Sequence, residues 1–458
     1  MKKIIALLLA LVMVFALVAC GAKEEAPAAE EETKTEAPAT EEKAEEEAPA
    51  EEEAPAAAGS VYYLNFKPDA DPAWQELAAL YTEQTGVPVK VVTAASGDYD
   101  TTLNAQMGKD GAPTLFNCGN MAALANWDEY CLDLAGTDFA NEMTTDSFNL
   151  YNEAGELKAA GYCYESFGII VNTALLEEAG YTLADITNFE SLKAVAEDIH
   201  NRAEELGFDA FSNPGLDGSS SWRFSGHLTN MPLYYQFRDN KVAGQPATVT
   251  DAYLENYRNI WDLYVNCSAA DAATLSTSTG DESTAQFKEG KAVFYQNGTW
   301  EYSGLIDAGL TDADLAMIPI YCGVEGEENS GLCTGSENFW CVNSEASDED
   351  IAATLEFLNY VVTSEEGLAM MMKEFGAIPF KNAPASTNKF VADGANLVNA
   401  GKYPVTWAFT TTPNVDNWRA GIVSALAAYS ADQTDDNWKA VVDAFVVGWE
   451  IEYAAQNG

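Results

Sequence analysis

Between residues 61 and 118, short apolar runs alternate with amphipathic segments, and this alternation limits the possible folds more than any other feature. Apolar residues at helical spacing predict two helices, one opened by Asp71-Pro72 and one over 99–107. Three apolar runs predict the strands around them: "VYYLNF" (61–66), "VPVKVV" (87–92) and "PTLFNC" (113–118). A strand–helix–strand–helix–strand order predicts an α/β fold with parallel strands and right-handed crossovers.

Polar loops follow the first and third of these strands. In open parallel sheets, ligands bind beyond the carboxyl ends of the strands. Here those ends carry Lys67 and Asp69 after the first strand, and Asn117 and Asn120 after the third. Both loops are poor in apolar residues, so we expect a hydrated recognition site at this edge.

The N-terminus has the pattern of an export signal. Lys2 and Lys3 precede an apolar run over 4–19, which is shorter than the roughly 20 residues of a membrane-spanning helix. The run ends in "LVAC" and resembles a bacterial lipobox, which would make residues 1–19 a signal peptide and Cys20 a lipidated residue. The alternative is a secreted protein with a chance cysteine. Acylation would hold the protein on the outer face of the cell membrane, through the lipid alone.

The segment after Cys20 is acidic and has no apolar periodicity. Residues 21–59 contain 14 Glu and 3 Lys among Ala, Pro and Thr, so the segment carries a charge of −11. Such a composition cannot bury a core and predicts a disordered tether over 20–59. A partner-binding acidic tail is the alternative.

The remaining body is large and strongly acidic. Of the total charge of −49, the signal contributes +2 and the tether −11, which leaves −40 for residues 60–458. A surface of this sign repels phosphate, so we expect no nucleic acid partner. It also disfavours anionic ligands, while polyamines remain possible. About 400 residues exceed one hydrophobic core, so we expect two lobes.

Cysteine and histidine usage gives no sign of a metal or cofactor. No CxxC occurs, and only His200 and His227 are available, which excludes a Zn or Cu site built on several imidazoles. Neither a Gly-x-Ser-x-Gly elbow nor a P-loop is present, and we assign no catalytic residue. Seven cysteines follow Cys20, and we expect most of them to act as small buried hydrophobes: Cys118, Cys131, Cys163, Cys267, Cys322, Cys333 and Cys341.

The rest of the body continues the α/β pattern. A strand running into a short helix at 163–180 marks the start of a second lobe. We expect Trp74, Trp261, Trp438 and Trp449 in the core, because each lies at apolar helical spacing. Further elements are a helix over 253–265, strands over 315–321 and 339–342, a helix from Ser347, and helices over 417–430 and 434–454.

Trp300 ends the stretch "QFKEGKAVFYQNGTWEY" and differs from the other tryptophans. A helix stop at Gly290 and a buried strand over 292–295 precede it. Trp300 then follows the small pair Gly298-Thr299 instead of lying inside an apolar run. We favour exposure of this ring toward a ligand, with burial in the core as the alternative.

The body resembles the extracellular solute-binding proteins of ABC importers, in the carbohydrate-binding group that includes maltose-binding protein. The resemblance covers about 60–458 and rests on the order and spacing of five segments: "AALYTEQTGVPVKVV", "GAPTLF", "SFGIIVNTALLEEAG", "FKEGKAVFYQNGTW" and "FLNYVVTSEEGLAMMMKEFGAIPF". It implies two α/β lobes, joined by hinge strands, that close over a ligand in the cleft between them. The implied crossings lie near 160–168, 322–337 and 390–402, with lobe 1 formed by 60–165 and about 330–395, and lobe 2 by about 166–325 and 400–458.

The same resemblance implies which residues contact the ligand. The family pattern that ends "G-x-W" places Trp300 at the cleft, where an indole face suits the apolar face of a sugar ring. By position, the ligand-binding residues it implies are Lys67, Asp69, Asn117, Asn120, Glu165, Trp300 and Trp418.

Two further segments offer polar candidates on their residue chemistry. Trp222 and Arg223 form a plausible stacking and hydrogen-bonding pair, with a structural ion pair as the alternative for Arg223. Glu337 and Asn338 lie at the second crossing, where a structural role in the hinge is equally open.

The function implied is that of a monomeric, non-enzymatic receptor that delivers a carbohydrate to a membrane permease. Two alternatives stay open at this point. A lipid-anchored glycoside hydrolase could share a cleft rich in aromatic and carboxylate groups. A surface adhesin could hold a glycan without any transporter.

Overall fold

The computed structural model describes residues 59–95, 98–146, 148–242 and 244–457. The predicted signal peptide, Cys20 and all of the predicted tether except Gly59 lie outside the described residues. None of the helices within these ranges has the length and apolar character needed to cross a bilayer.

Twelve strands occur in the described ranges. In chain order they are β1 (Val61–Asn65), β2 (Val89–Thr93), β3 (Leu115–Phe116), β4 (Leu150–Tyr151), β5 (Leu157–Gly161), β6 (Glu165–Asn172), β7 (Asp209–Phe211), β8 (Ala292–Gly298), β9 (Leu315–Ile318), β10 (Ser330–Gly335), β11 (Phe339–Val342) and β12 (Tyr403–Thr406).

Sixteen α-helices occur in the same ranges. The first eight are α1 (Asp71–Thr85), α2 (Tyr99–Met107), α3 (Met121–Trp127), α4 (Asp138–Asn141), α5 (Thr173–Glu178), α6 (Phe189–Asn201), α7 (Ala203–Leu206) and α8 (Asn230–Asn240). The others are α9 (Leu254–Asn266), α10 (Gly280–Lys288), α11 (Glu301–Asp307), α12 (Asp348–Thr363), α13 (Glu365–Phe375), α14 (Lys389–Asn399), α15 (Val415–Ala431) and α16 (Asp435–Asn457). A π-helical turn over Arg223–Leu228 precedes α8.

The strands form two sheets. The first has the order β2-β1-β3-β11-β5-β4, and the second has the order β12-β10-β6-β8-β7 with β9 also paired to β6. β1 runs parallel to both β2 and β3, which confirms the parallel pairing predicted from the alternating pattern. The connections after β1 and β3 therefore emerge at the same edge of the first sheet.

The chain passes between the two sheets at short connections. One joins β5, which ends at Gly161, to β6, which begins at Glu165. Another joins β10 to β11 through residues 336–338, and the last precedes α14, which packs on β9, β10 and β12. β10 thus lies in the second sheet, whereas the sequence analysis grouped residues from about 330 with the first lobe. Its pairing with β6 and β12 fixes this position.

Helix α1 illustrates how the sequence builds the core of the first sheet. Pro72 lies in its first turn, Ala70 holds the N-cap position, and Gly86 ends the helix at a φ of 76°. Such a left-handed conformation suits glycine because it has no Cβ. Trp74, Leu77, Ala78 and Tyr81 lie on the buried face at the spacing of a helix packed on one side.

The predicted core tryptophans are buried. Trp74 packs against the first sheet, and Trp261, Trp438 and Trp449 lie in the larger cluster beside the second. All seven cysteines of the body are buried and unpaired, which confirms that they fill the interior.

Candidate functional site

A buried ion pair joins the two sheets. Lys67 follows β1 in the first sheet, and Glu165 begins β6 in the second. Lys67 Nζ lies 2.5 Å from Glu165 Oε1, and the Glu165 side chain is only 5% exposed. Asn338, in the connection between β10 and β11, donates from Nδ2 to Glu165 Oε2 at 2.6 Å. Three predicted residues from distant parts of the chain are thus brought into one hydrogen-bonded group.

Electrostatics favour the charged form of the lysine in this group. Burial acts to lower the pKa of Lys67, but the charge of Glu165 and the hydrogen bond to it outweigh burial, so the pKa is raised. A buried charge that is paired and hydrogen-bonded avoids most of the desolvation cost of an isolated one. Lys67 therefore stays protonated beside Glu165.

An aromatic wall lies next to the ion pair. Trp300 is half-buried, and its ring centroid lies 6.0 Å from that of Trp222 and 5.4 Å from that of His227. Lys67 Nζ lies 5.9 Å from the Trp300 centroid, so the wall and the charged group adjoin. The ring folds back over Gly298, where a Cβ would lie 2.1 Å from Cη2 of Trp300. The missing side chain of Gly298 is what allows this ring position.

His227, which the sequence analysis did not select as a site residue, packs against both tryptophans of the wall. It stacks on Phe167 with ring centroids 3.9 Å apart, and it is buried. Burial holds the pKa of His227 well below its usual value, with Arg419 and Arg223 adding to the effect. The imidazole is therefore neutral and serves as a flat packing surface.

A second ion pair, Glu337 with Arg419, lies near the first. Glu337 lies in the β10–β11 connection, and its Oε1 is 3.8 Å from NH2 of Arg419 on α15. Burial raises the pKa of Glu337, Arg419 opposes that rise, and the nearby Glu165 adds to it. Nothing in the sequence indicated Arg419, because the residue pattern does not show which way adjacent side chains of this helix point.

Trp418 lies in the core, away from this group. Its side chain is 2% exposed, its Nε1 donates to the carbonyl of Phe445, and its ring packs against Trp449. Successive residues of an α-helix point about 100° apart. Burial of Trp418 therefore turns Arg419 toward Glu337, and the structure gives Trp418 a packing role where the resemblance implied ligand contact.

The two asparagines beyond β3 make structural hydrogen bonds. Asn117 accepts at Oδ1 from the backbone N–H of Phe339, and Asn120 accepts from that of Ala123 as the N-cap of α3. Both side chains are buried. Asp69, in contrast, is exposed in the turn that follows Lys67. All three residues lie near the carboxyl ends of β1 and β3, where the sequence predicted a ligand site. The two asparagines stabilise the loops there through their hydrogen bonds.

Arg223 is held by neutral acceptors inside the second lobe. It donates to the carbonyl of Gln296 at 3.0 Å and to the hydroxyls of Ser220 and Ser283 at 2.6 and 2.9 Å. Within the described ranges no carboxylate forms an ion pair with it. Its neighbour Trp222 is half-buried and donates from Nε1 to the carbonyl of Ser219. Arg223 thus anchors the turn that carries Trp222.

Glu301 is a further residue of the site that the sequence analysis missed. It follows Trp300 directly, and Asn297 Nδ2 donates to its Oε1 at 2.9 Å. Burial raises the pKa of Glu301 to about 7, and Asp69 from the first-sheet side adds to the rise. Acidic residues are common in the first turn of a helix, so the sequence position of Glu301 did not indicate a role in the site.

The chain was compared with known proteins. The family model described as bacterial extracellular solute-binding protein matches residues 76–399. No curated protein sequence matches the chain.

Several solved structures share the fold at low sequence identity. The solute-binding protein RafE in complex with raffinose aligns with a TM-score of 0.68 and 13% identity, over 87% of this chain and 100% of its own. A mannobiose-bound protein of an ABC transporter from Bifidobacterium animalis subsp. lactis aligns with a TM-score of 0.65 and 15% identity, over 86% and 95%. The GacH receptor of Streptomyces glaucescens aligns with a TM-score of 0.58 and 20% identity, over 87% and 96%.

These neighbours have the two-lobe architecture of periplasmic binding proteins, and the two sheets of this chain correspond to it. The family model covers well over half of the 458 residues. The chain therefore belongs to the bacterial extracellular solute-binding proteins.

Proposed function

We propose that this protein is a monomeric, non-enzymatic receptor that captures a sugar or oligosaccharide between its lobes and delivers it to the permease of an ABC importer. The observation that carries the proposal is the pairing of an indole wall with a polar group at one site. Trp300 and Trp222 offer partly exposed ring faces, and beside them lies the Glu165 carboxylate, which accepts from Lys67 and from Asn338 Nδ2. A sugar presents an apolar C–H face and a rim of hydroxyls, which matches this division.

The comparisons support the ligand class. RafE is described in complex with raffinose, the Bifidobacterium protein with mannobiose, and GacH with acarbose. The family consists of extracellular receptors. By this proposal Trp300 supplies the stacking surface, Glu165 and Glu337 accept from sugar hydroxyls, and Lys67 and Arg419 hold those two carboxylates in place.

A thermal-shift screen of the purified protein against mono- and oligosaccharides tests the proposal. A ligand at 100 times its Kd stabilises the folded state by about 2.7 kcal/mol, which raises Tm visibly. We expect at least one neutral sugar to do so, with no product released from it on long incubation. A shift with polyamines and with no sugar would contradict the ligand class, and hydrolysis of the bound sugar would contradict the receptor role.

The binding contribution of the wall can be separated from its packing contribution. We expect Trp300→Ala and Glu165→Gln to weaken sugar binding by ten- to a hundredfold, which corresponds to about 1.4–2.7 kcal/mol. Titration calorimetry of each variant with the sugar found in the screen measures the loss.

Trp438→Ala is the matched control for these variants, because its buried ring packs against Tyr257 and Tyr429 and, within the described ranges, against no residue of the site. It should cost about 3–5 kcal/mol of stability in urea unfolding, while the folded fraction keeps its affinity, because its ring fills the core. If Trp300→Ala loses as much stability as the control and keeps its affinity, Trp300 is a packing residue.

Glu301 predicts a pH dependence of stability. The pKa of its carboxyl rises from 4.5 to about 7 on folding, so the folded state binds more protons between these values. The contribution of Glu301 to the free energy of unfolding is therefore greatest below pH about 4.5. This contribution is lost as the pH rises through about 7. We expect Glu301→Gln to be more stable than wild type at pH 8, by on the order of 1–3 kcal/mol, and equal to it at pH 4. Urea unfolding of both proteins between pH 4 and 8 measures the difference in the free energy of unfolding. If this difference does not change with pH, the pKa of Glu301 is not raised by folding and the prediction is wrong.

Membrane attachment is the part of the proposal that rests on the N-terminus. We infer that Cys20 carries the lipid and that the acidic segment after it spaces the receptor from the outer face of the membrane. A Cys20→Ser variant should still be exported but should partition into the aqueous phase on detergent extraction. A variant that stays with the membrane would show that the anchor lies elsewhere.

A further inference from the structure

Three cysteine sulfurs meet inside the first lobe. Cys118 follows β3, Cys341 lies in β11, and Cys131 is held by an isolated bridge to Asn343 just beyond β11. Their three Sγ atoms all lie within 4.8 Å of one another, and the three residues are at most 1% exposed. No CxxC spacing links them, so the cluster is created by the sheet and could not be read from the sequence.

The surroundings of the cluster are apolar. Its hydrophobic neighbours are Leu64, Leu103, Phe116, Leu124, Ala159 and Phe339. The atoms that could bind a metal ion here are therefore three sulfurs, and the cluster contains no imidazole or carboxylate. Soft thiolate ligands select soft metal ions such as Cu(I), whereas Ca²⁺ and Mg²⁺ require oxygen ligands.

The three thiols are close enough to influence one another, since their Sγ atoms lie within 4.8 Å. Hydrogen bonds from Cys118 and Cys341 lower the pKa of Cys131, and the nearby Lys158 adds to this effect. Lys158 Nζ itself donates to the carbonyl of Cys131 at 2.9 Å. Burial acts in the opposite direction on Cys118 and Cys341 and raises the pKa of both thiols. Because the three sulfurs already lie this close together, one ion can bond to all of them after small side-chain shifts.

We propose that Cys118, Cys131 and Cys341 form a binding site for one monovalent thiophilic ion of the Cu(I) and Ag(I) class. A metal–sulfur bond of about 2.3 Å places three sulfurs about 4 Å apart in a trigonal arrangement, so the present sulfurs need to approach by less than about 1 Å. Each sulfur donates an electron pair. One of the three sulfurs loses its proton to solvent and the other two bind as neutral thiols, so the monovalent ion and one thiolate together carry no net charge. Neither oxidant nor reductant is required.

The low charge of the ion follows from the apolar environment. Structural Zn²⁺ sites take four ligands, whereas the cluster supplies three. A charge in such surroundings is expensive unless it is paired, so a monovalent ion on partly protonated sulfur is better matched than a divalent one. This site is separate from the sugar site and does not depend on the proposed function.

The test uses the mature chain, reduced, with Ag(I) alone as the probe. We expect one equivalent to bind tightly, to raise Tm, and to release protons into a weakly buffered solution. Cys118→Ser, Cys131→Ser and Cys341→Ser should each weaken binding at least a hundredfold. Cys163→Ser and Cys267→Ser are the matched controls, since both residues are buried and lie outside the cluster, and they should bind as wild type does.

A second measurement covers the case in which a cluster variant does not fold. In the wild-type protein, one equivalent of Ag(I) should protect Cys118, Cys131 and Cys341 from alkylation during brief exposure to urea, while the other four body cysteines react. The proposal is overturned if protection spreads evenly over all seven cysteines, or if the cluster variants bind as well as the controls do. Tighter binding of Cd(II) or Zn(II) than of Ag(I) would overturn the assignment to a monovalent ion.

Discussion

The hydrogen-bonded group of Lys67, Glu165 and Asn338 is the interaction on which the arrangement of the site depends. Each member comes from a different kind of segment: a loop of the first sheet, the first residue of a strand of the second, and a connection between the two. Removing either charge would leave the other buried without its partner, which is costly. The group therefore ties the geometry of the site to the junction at which the lobes meet.

The sequence predicted the architecture well because the architecture follows from periodicity. β11 has the predicted bounds, and the parallel pairing of β1 with β2 and β3 follows from the strand–helix alternation. Burial of Trp74 and Trp261 follows from helical spacing in the same way. These features depend on local pattern, and local pattern is what a single sequence displays.

The details of the site depend on direction and burial, which periodicity does not give. Trp418 and Arg419 are adjacent in sequence, yet one fills the core and the other pairs with Glu337. Arg223 was expected to contact a ligand or a carboxylate, and it donates instead to a carbonyl and two serine hydroxyls. Glu301 lies in the first turn of a helix, where acids are common, and the fold half-buries it beside Asn297. In each case the deciding information is which way one side chain points.

The charges of the site also bear on the class of ligand. The body is strongly acidic, and the cations in the described part of the site are already committed: Lys67 to Glu165, Arg419 to Glu337, and Arg223 to neutral acceptors. An anionic ligand would have to displace one of these partners and leave a buried carboxylate unpaired, at a cost of a few kcal/mol. A neutral polyhydroxyl compound can instead bond to the outer oxygens of the paired carboxylates while both pairs stay intact. The commitment of these three cations to partners thus selects against anions, and the exposed part of the Trp300 ring favours a ligand with one apolar face.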